Sequence, residues 1–176
     1  MAFFGVSVLL PWNAVLTSLD FFEEKLPELN PSSVIGFAVN SLLVAASIGT
    51  MIFGGRLSLV ARISGLYIVV AILMIMLPLI TEHVGDAFSI DVVILSLFGM
   101  AAGVIQASTF AVGGMLPGRY MGALMLGVGF SGIILNLLRA ISLLAIPGDS
   151  YKGALMYFII AAVILVISSI ANYRFL

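Results

Sequence analysis

The stretch GMAAGVIQASTFAVGGMLPGRYMGALMLGVGFSG, residues 99–132, holds nine of the eighteen glycines in about a fifth of a 176-residue chain. It reads as two apolar helices joined by a tight turn at Leu116-Pro117-Gly118-Arg119. On the first helix Gly99, Gly103, Ala107 and Ala111 recur every four residues. Such a stripe of small residues lets a neighbouring backbone approach closely. Gln106 stands beside the stripe, among apolar neighbours. An amide left uncompensated in hydrocarbon is costly, so Gln106 is expected to face protein or a water-filled cavity. On the second helix Gly129, Gly132, Asn136 and Arg139 fall on one face at helical spacing. A close-packed pair with buried polar groups suits a solute pathway between helices, and it suits plain helix packing equally.

Working outward, the composition selects the solvent. The chain is 62% hydrophobic and 9% charged, against about 25% charged in an ordinary soluble domain. With a mean hydropathy of +1.29, it cannot clothe a water-facing surface. It is expected to be an all-α integral membrane protein with the lipid bilayer as its first partner. A net charge of -1 argues against nucleic acid as a partner. The absence of cysteine removes disulfides, cysteine-ligated metals and thiol nucleophiles. The first nineteen residues are apolar but lack the positive flank and cleavage site of a signal peptide.

A bilayer core takes about 20 apolar residues per helix. Six spans qualify, near 2–22, 32–55, 63–81, 91–116, 119–146 and 153–174, as a single membrane domain. Short connections make successive helices the expected antiparallel neighbours. With the N-terminus inside, the inner side holds Arg56, Arg62, Arg119 and Arg174, and the outer side Lys25 and Lys152. That is the direction of the positive-inside rule.

Chemistry has few places to reside. Pro11-Trp12-Asn13 puts a proline, an indole and an amide together in the first span. Proline removes a backbone bond there. Asn13, Thr17 and Asp20 continue as a polar stripe. The element reads as a binding site or as ordinary packing in which Asn13 heals the kink. Asn40 and Ser47 in the second span read as glue between helices. Arg139 is the one charge expected well inside a span, and intramembrane charges default to functional hypotheses. There is no paired-carboxylate site in the spans, no Ser-His-Asp set, no phosphate loop and no metal spacing. The chain is therefore not expected to be an enzyme or to carry a cofactor or metal.

Four motifs follow one another along the chain. They are Leu9-Leu10-Pro11-Trp12-Asn13 and the segment from Arg56 through Arg62-Ile63-Ser64-Gly65. The other two are residues 103–110, GVIQASTF, followed by Leu116-Pro117, and residues 127–132, GVGFSG, followed by Leu138-Arg139 and Ser142. In this order they resemble the amino-terminal half of an equilibrative nucleoside transporter. The resemblance implies one six-helix half of a major-facilitator-like transporter of eleven helices, with substrate held between the halves. It implies that Trp12 and Leu16 flank a nucleoside or nucleobase and that Gln106 hydrogen-bonds it. It implies a place for Arg62 in a cytoplasmic gate and matches Arg139 to a fifth-helix arginine of plant and protist members. Asn13 would join these as a structural polar group. The chain departs from the family at Ala102, where a glycine is usual, and ends after the sixth helix.

Two functions stay open. One is a transporter half forming one wall of a nucleoside pathway, completed by another membrane chain or by the carboxy-terminal half. The other is a non-transporting structural subunit of a larger membrane complex. The resemblance implies the plasma membrane; an organelle inner membrane stays open as the alternative residence.

Overall fold

The computed structural model describes residues 1–25, 31–56, 58–84, 87–146 and 150–175. The described residues form helices and the turns between them. These are α1 (Ala2–Leu16), α2 (Leu19–Lys25), α3 (Pro31–Phe53), α4 (Leu66–His83), α5 (Ala87–Met115), α6 (Gly118–Ala145) and α7 (Ser150–Phe175). A 3-10 turn at Gly54–Arg56 ends α3, and a π-helical turn at Ala61–Gly65 leads into α4. Six helical stretches are long and apolar enough to cross a membrane, with α1 and α2 together making the first. Glu28, Asp86 and Asp149 lie outside the described residues.

The helix of α1 runs through Pro11, which is buried, and stops at Leu16. There the hydroxyls of Thr17 and Ser18 turn back onto the carbonyls of Asn13 and Ala14, at 2.9 Å and 2.8 Å. Side chains that satisfy backbone acceptors locally compete with further helix, which suits a break before α2.

The expected order of neighbours is corrected by the packing. The most extensive contacts join α3 to α5, α1 to α6 and α4 to α7, none of them successive. Glycine seams decide this rather than loop length. A β-carbon on Gly99 would lie 2.7 Å from the Val39 carbonyl oxygen, and one on Gly103 would lie 2.3 Å from that of Leu43. Ser47 of α3 then donates to the Gly103 carbonyl at 3.1 Å. The α1–α6 seam is tighter: a β-carbon on Gly5 would sit 2.0 Å from the Leu124 oxygen, and one on Gly127 1.9 Å from the Ala2 oxygen. Residue numbers rise together from Val39–Gly99 to Leu43–Gly103 and from Ala2–Gly127 to Asn13–Ser131, so these two pairs run parallel. The α4–α7 pair is antiparallel, as Ser64 meets Ser169 and His83 stacks edge-on against Tyr151.

The core lies between these pairs. Leu10, Tyr67, Leu95, Phe98, Tyr157 and Phe158 are fully enclosed within it. Hydrogen bonds between spans supplement it: Ser7 with Ser168 at 2.5 Å, and Ser169 to the Ser64 carbonyl at 2.8 Å. Bonds of this kind contribute on average about 0.6 kcal/mol each in a membrane. Of the six spans, α3 is the least buried and α6 the next least.

Candidate functional site

The polar residues of α1 project in two directions. Trp12 is half-buried against the core, and Leu16, one turn on, is 39% exposed. Asn13 does not serve the proline kink. Its Nδ2 donates to Ser131 Oγ on α6 at 2.8 Å, and Ser131 in turn donates to the Val128 carbonyl. Thr17 shares a 2.5 Å hydrogen bond with the Tyr157 hydroxyl on α7. Asp20 completes the stripe by accepting from Arg139.

Arg139 is buried, and its Nη2 donates to Asp20 Oδ2 at 2.8 Å. Its guanidinium carbon stands 5.8 Å from the centre of the Tyr157 ring, within reach of cation–π attraction. Nε and Nη1 meet no acceptor in the structure. The arginine is therefore drawn into the bundle rather than outward along its own helix. The face expected to unite it with Gly129, Gly132 and Asn136 divides. Gly129 and Asn136 are exposed, and the Asn136 amide bonds only back to Gly132 of its own helix. Arg139 lies at the edge of that arc, where α6 turns toward α1 and α7.

Gln106 lies on α5, three residues beyond Gly103, so it borders the strip that receives α3. It is half-buried, and its amide meets no hydrogen-bond partner among the described residues. The helix that carries it packs against α1. Arg62, in the π-helical turn, is also half-buried. Its guanidinium fills the space over Gly54, where a β-carbon would lie 2.2 Å from Nη1. It thereby ties the end of α3 to the start of α4. Ser47 is interhelical glue as expected, whereas the Asn40 amide bonds Gly36 of its own helix and faces outward.

Sequence reasoning missed a second buried ionisable group. Asp91 belongs to α5, which begins four residues earlier than expected, and it is 1% exposed. Thr81 donates to its Oδ2 at 2.8 Å, and Oδ1 has no partner. It also missed Tyr157 and Ser131, whose signal is faint because a tyrosine or serine in an apolar run is ordinary. Among the described residues no cluster of three or more His, Asp or Glu side chains could hold a metal.

Six spans, glycine seams between non-successive helices and polar side chains gathered on α1, α5 and α6 define a multi-pass helical membrane protein. A sequence profile described as nucleoside transporter matches residues 89–176. The chain belongs to the nucleoside transporter family. It is 32% identical to equilibrative nucleotide transporter 1 of Arabidopsis thaliana, over 94% of this chain and 39% of that protein. It is 31% identical to equilibrative nucleotide transporter 8 of the same plant, over 92% and 44%. To equilibrative nucleoside transporter 4 of Homo sapiens it is 28% identical, over 89% and 30%. The chain thus spans less than half the length of these curated relatives.

Proposed function

We propose that this chain forms one wall of a nucleoside or nucleobase translocation pathway, facing helices that complete the transporter. Trp12 and Leu16 would flank the base and Gln106 would hydrogen-bond it. Arg62 would act at the cytoplasmic gate, with Asn13 and Arg139 as the polar supports of the wall. The observation that carries the reading is Gln106: a half-buried amide in a membrane helix, with no hydrogen-bond partner among the described residues, on the helix that packs against the one bearing Trp12. Such an amide favours a ligand or water over lipid.

A net hydrogen bond is worth roughly 0.5–1.5 kcal/mol, so Gln106→Ala is expected to weaken nucleoside binding about two- to tenfold. The measurement is equilibrium binding of a labelled nucleoside to the chain assembled with its completing helices. Unchanged binding in a folded Gln106→Ala protein would remove the residue from the site.

One observation favours the second reading, a structural subunit without a solute. Asn13, Thr17 and Arg139 already have partners within the bundle and need no substrate to hold them. Uptake of nucleosides into vesicles carrying the assembled protein separates the two readings.

Orientation has its own test, helped by a chain that contains no cysteine. Glu23→Cys and Arg119→Cys each introduce a single thiol at an exposed position. With both termini inside, an impermeant maleimide applied outside is expected to label the first variant and spare the second. The opposite labelling would invert the topology.

A further inference from the structure

The faces of α4 and α7 that turn away from the core enclose an elongated groove. Its deeper section, about 260 Å³, has Ala71 and Ala162 as a floor, 3% and 2% exposed, between rims of Ile68, Ile72, Val163 and Ile167. A second section, about 380 Å³, shares Ile68 and continues past Ser64, Gly65, Ser169 and Ile170 to Tyr173. From Ile75 to Ser64 the groove follows α4 for about 16 Å at ~1.5 Å per residue. Half of a hydrocarbon core of ~30 Å is about 15 Å. The groove therefore runs the depth of one leaflet.

Its two ends differ chemically. The deep end is wholly apolar. At the shallow end Ser64 and Gly65 border the groove, with Tyr173 at its mouth. Arg174 lies one turn beyond Ile170 on the same side of α7 and is exposed. Among the described residues no aspartate or glutamate lies at this end: Asp20, Glu23, Glu82 and Asp91 all belong to the other.

We propose that this groove is a binding site for one anionic phospholipid of the leaflet at the Arg174 end. Its acyl chain lies along the alanine floor, and Arg174 faces the phosphate. The surface concerned is continuous with the lipid-facing exterior of α4 and α7, so the site fills from the bilayer. It does not depend on transport and holds under either functional reading.

The test is native mass spectrometry of the purified chain titrated with phosphatidylglycerol or phosphatidylcholine of identical acyl chains. One saturable adduct is expected, with phosphatidylglycerol half-saturating at a roughly fivefold lower concentration, the contribution of one basic residue facing an anionic lipid. Arg174→Gln is expected to abolish that preference while leaving an adduct with both lipids. Val163→Trp, at a half-exposed rim position, is expected to remove the saturable adduct of both. A non-saturating ladder of adducts, equal affinity for the two lipids, a preference that survives Arg174→Gln, or undiminished binding in Val163→Trp would overturn the assignment.

Discussion

Asp20→Ala is expected to destabilise the fold by about 3 kcal/mol, and Arg139→Met by less than half as much. The two members of the pair are unequally placed: the arginine side chain is 6% exposed and the aspartate 56%. Removing the aspartate strands a cation whose Nε and Nη1 already have no acceptor, leaving the Tyr157 ring as its remaining support. Breaking a buried pair in this way costs about 3–5 kcal/mol, and the solvent access on the Asp20 side places the loss at the lower end. Methionine at 139 fills much of the same space without charge, and the carboxylate it abandons can hydrate. Thermal unfolding in one detergent, followed by helical circular dichroism, gives both values. If Arg139→Met proved the more damaging, the guanidinium would be supported by groups other than Asp20, and the latch between α2 and α6 would have to be discarded.

Gly127→Val is expected to have an effect of similar size through geometry alone. The β-carbon would fall 1.9 Å from the Ala2 carbonyl oxygen, which belongs to a backbone and cannot swing aside. Overpacking usually costs about 1–3 kcal/mol, and a main-chain obstacle puts this site at the top of that range or above. α1 would have to lift from α6, straining the Asn13–Ser131 bond and the Asp20–Arg139 pair together. Gly129→Ala is the control. Nothing lies within 4 Å of its β-carbon, and the exchange gains up to about 1 kcal/mol of helix propensity. A valine at 127 tolerated as well as an alanine at 129 would mean that the two helices do not cross where described.

The number of spans was legible because it depends on composition over some twenty residues. Which helix meets which was not. The stripe of Gly99 and Gly103 announces that a backbone will approach α5 without saying whose, and the answer is α3. Gly5 has no stripe at all, yet it marks the closest crossing in the bundle. Arg139 was legible as a charge out of place. Its counter-ion was not, because Asp20 stands more than a hundred residues away and reads as the polar end of a helix. Asn13 was legible as polar, and its neighbour Pro11 suggested a local use for the amide, whereas the bond it makes crosses to Ser131 on α6. Trp12 and Gln106 were singled out by motif, and their half-buried positions on packed helices follow from the fold rather than from periodicity.

The parallel pairing of α1 with α6 and of α3 with α5 also sets a timetable for biosynthesis. A ribosome adds roughly 5–20 residues per second. Val39 therefore emerges about 3–13 s before Gly103, and Gly5 about 6–24 s before Gly127. Through those intervals two hydrophobic helices wait in the membrane with their principal contact surfaces unfilled. Agents that slow elongation between residues 53 and 118 would lengthen the wait, and quality-control proteases would have their opportunity there, before α6 covers α1.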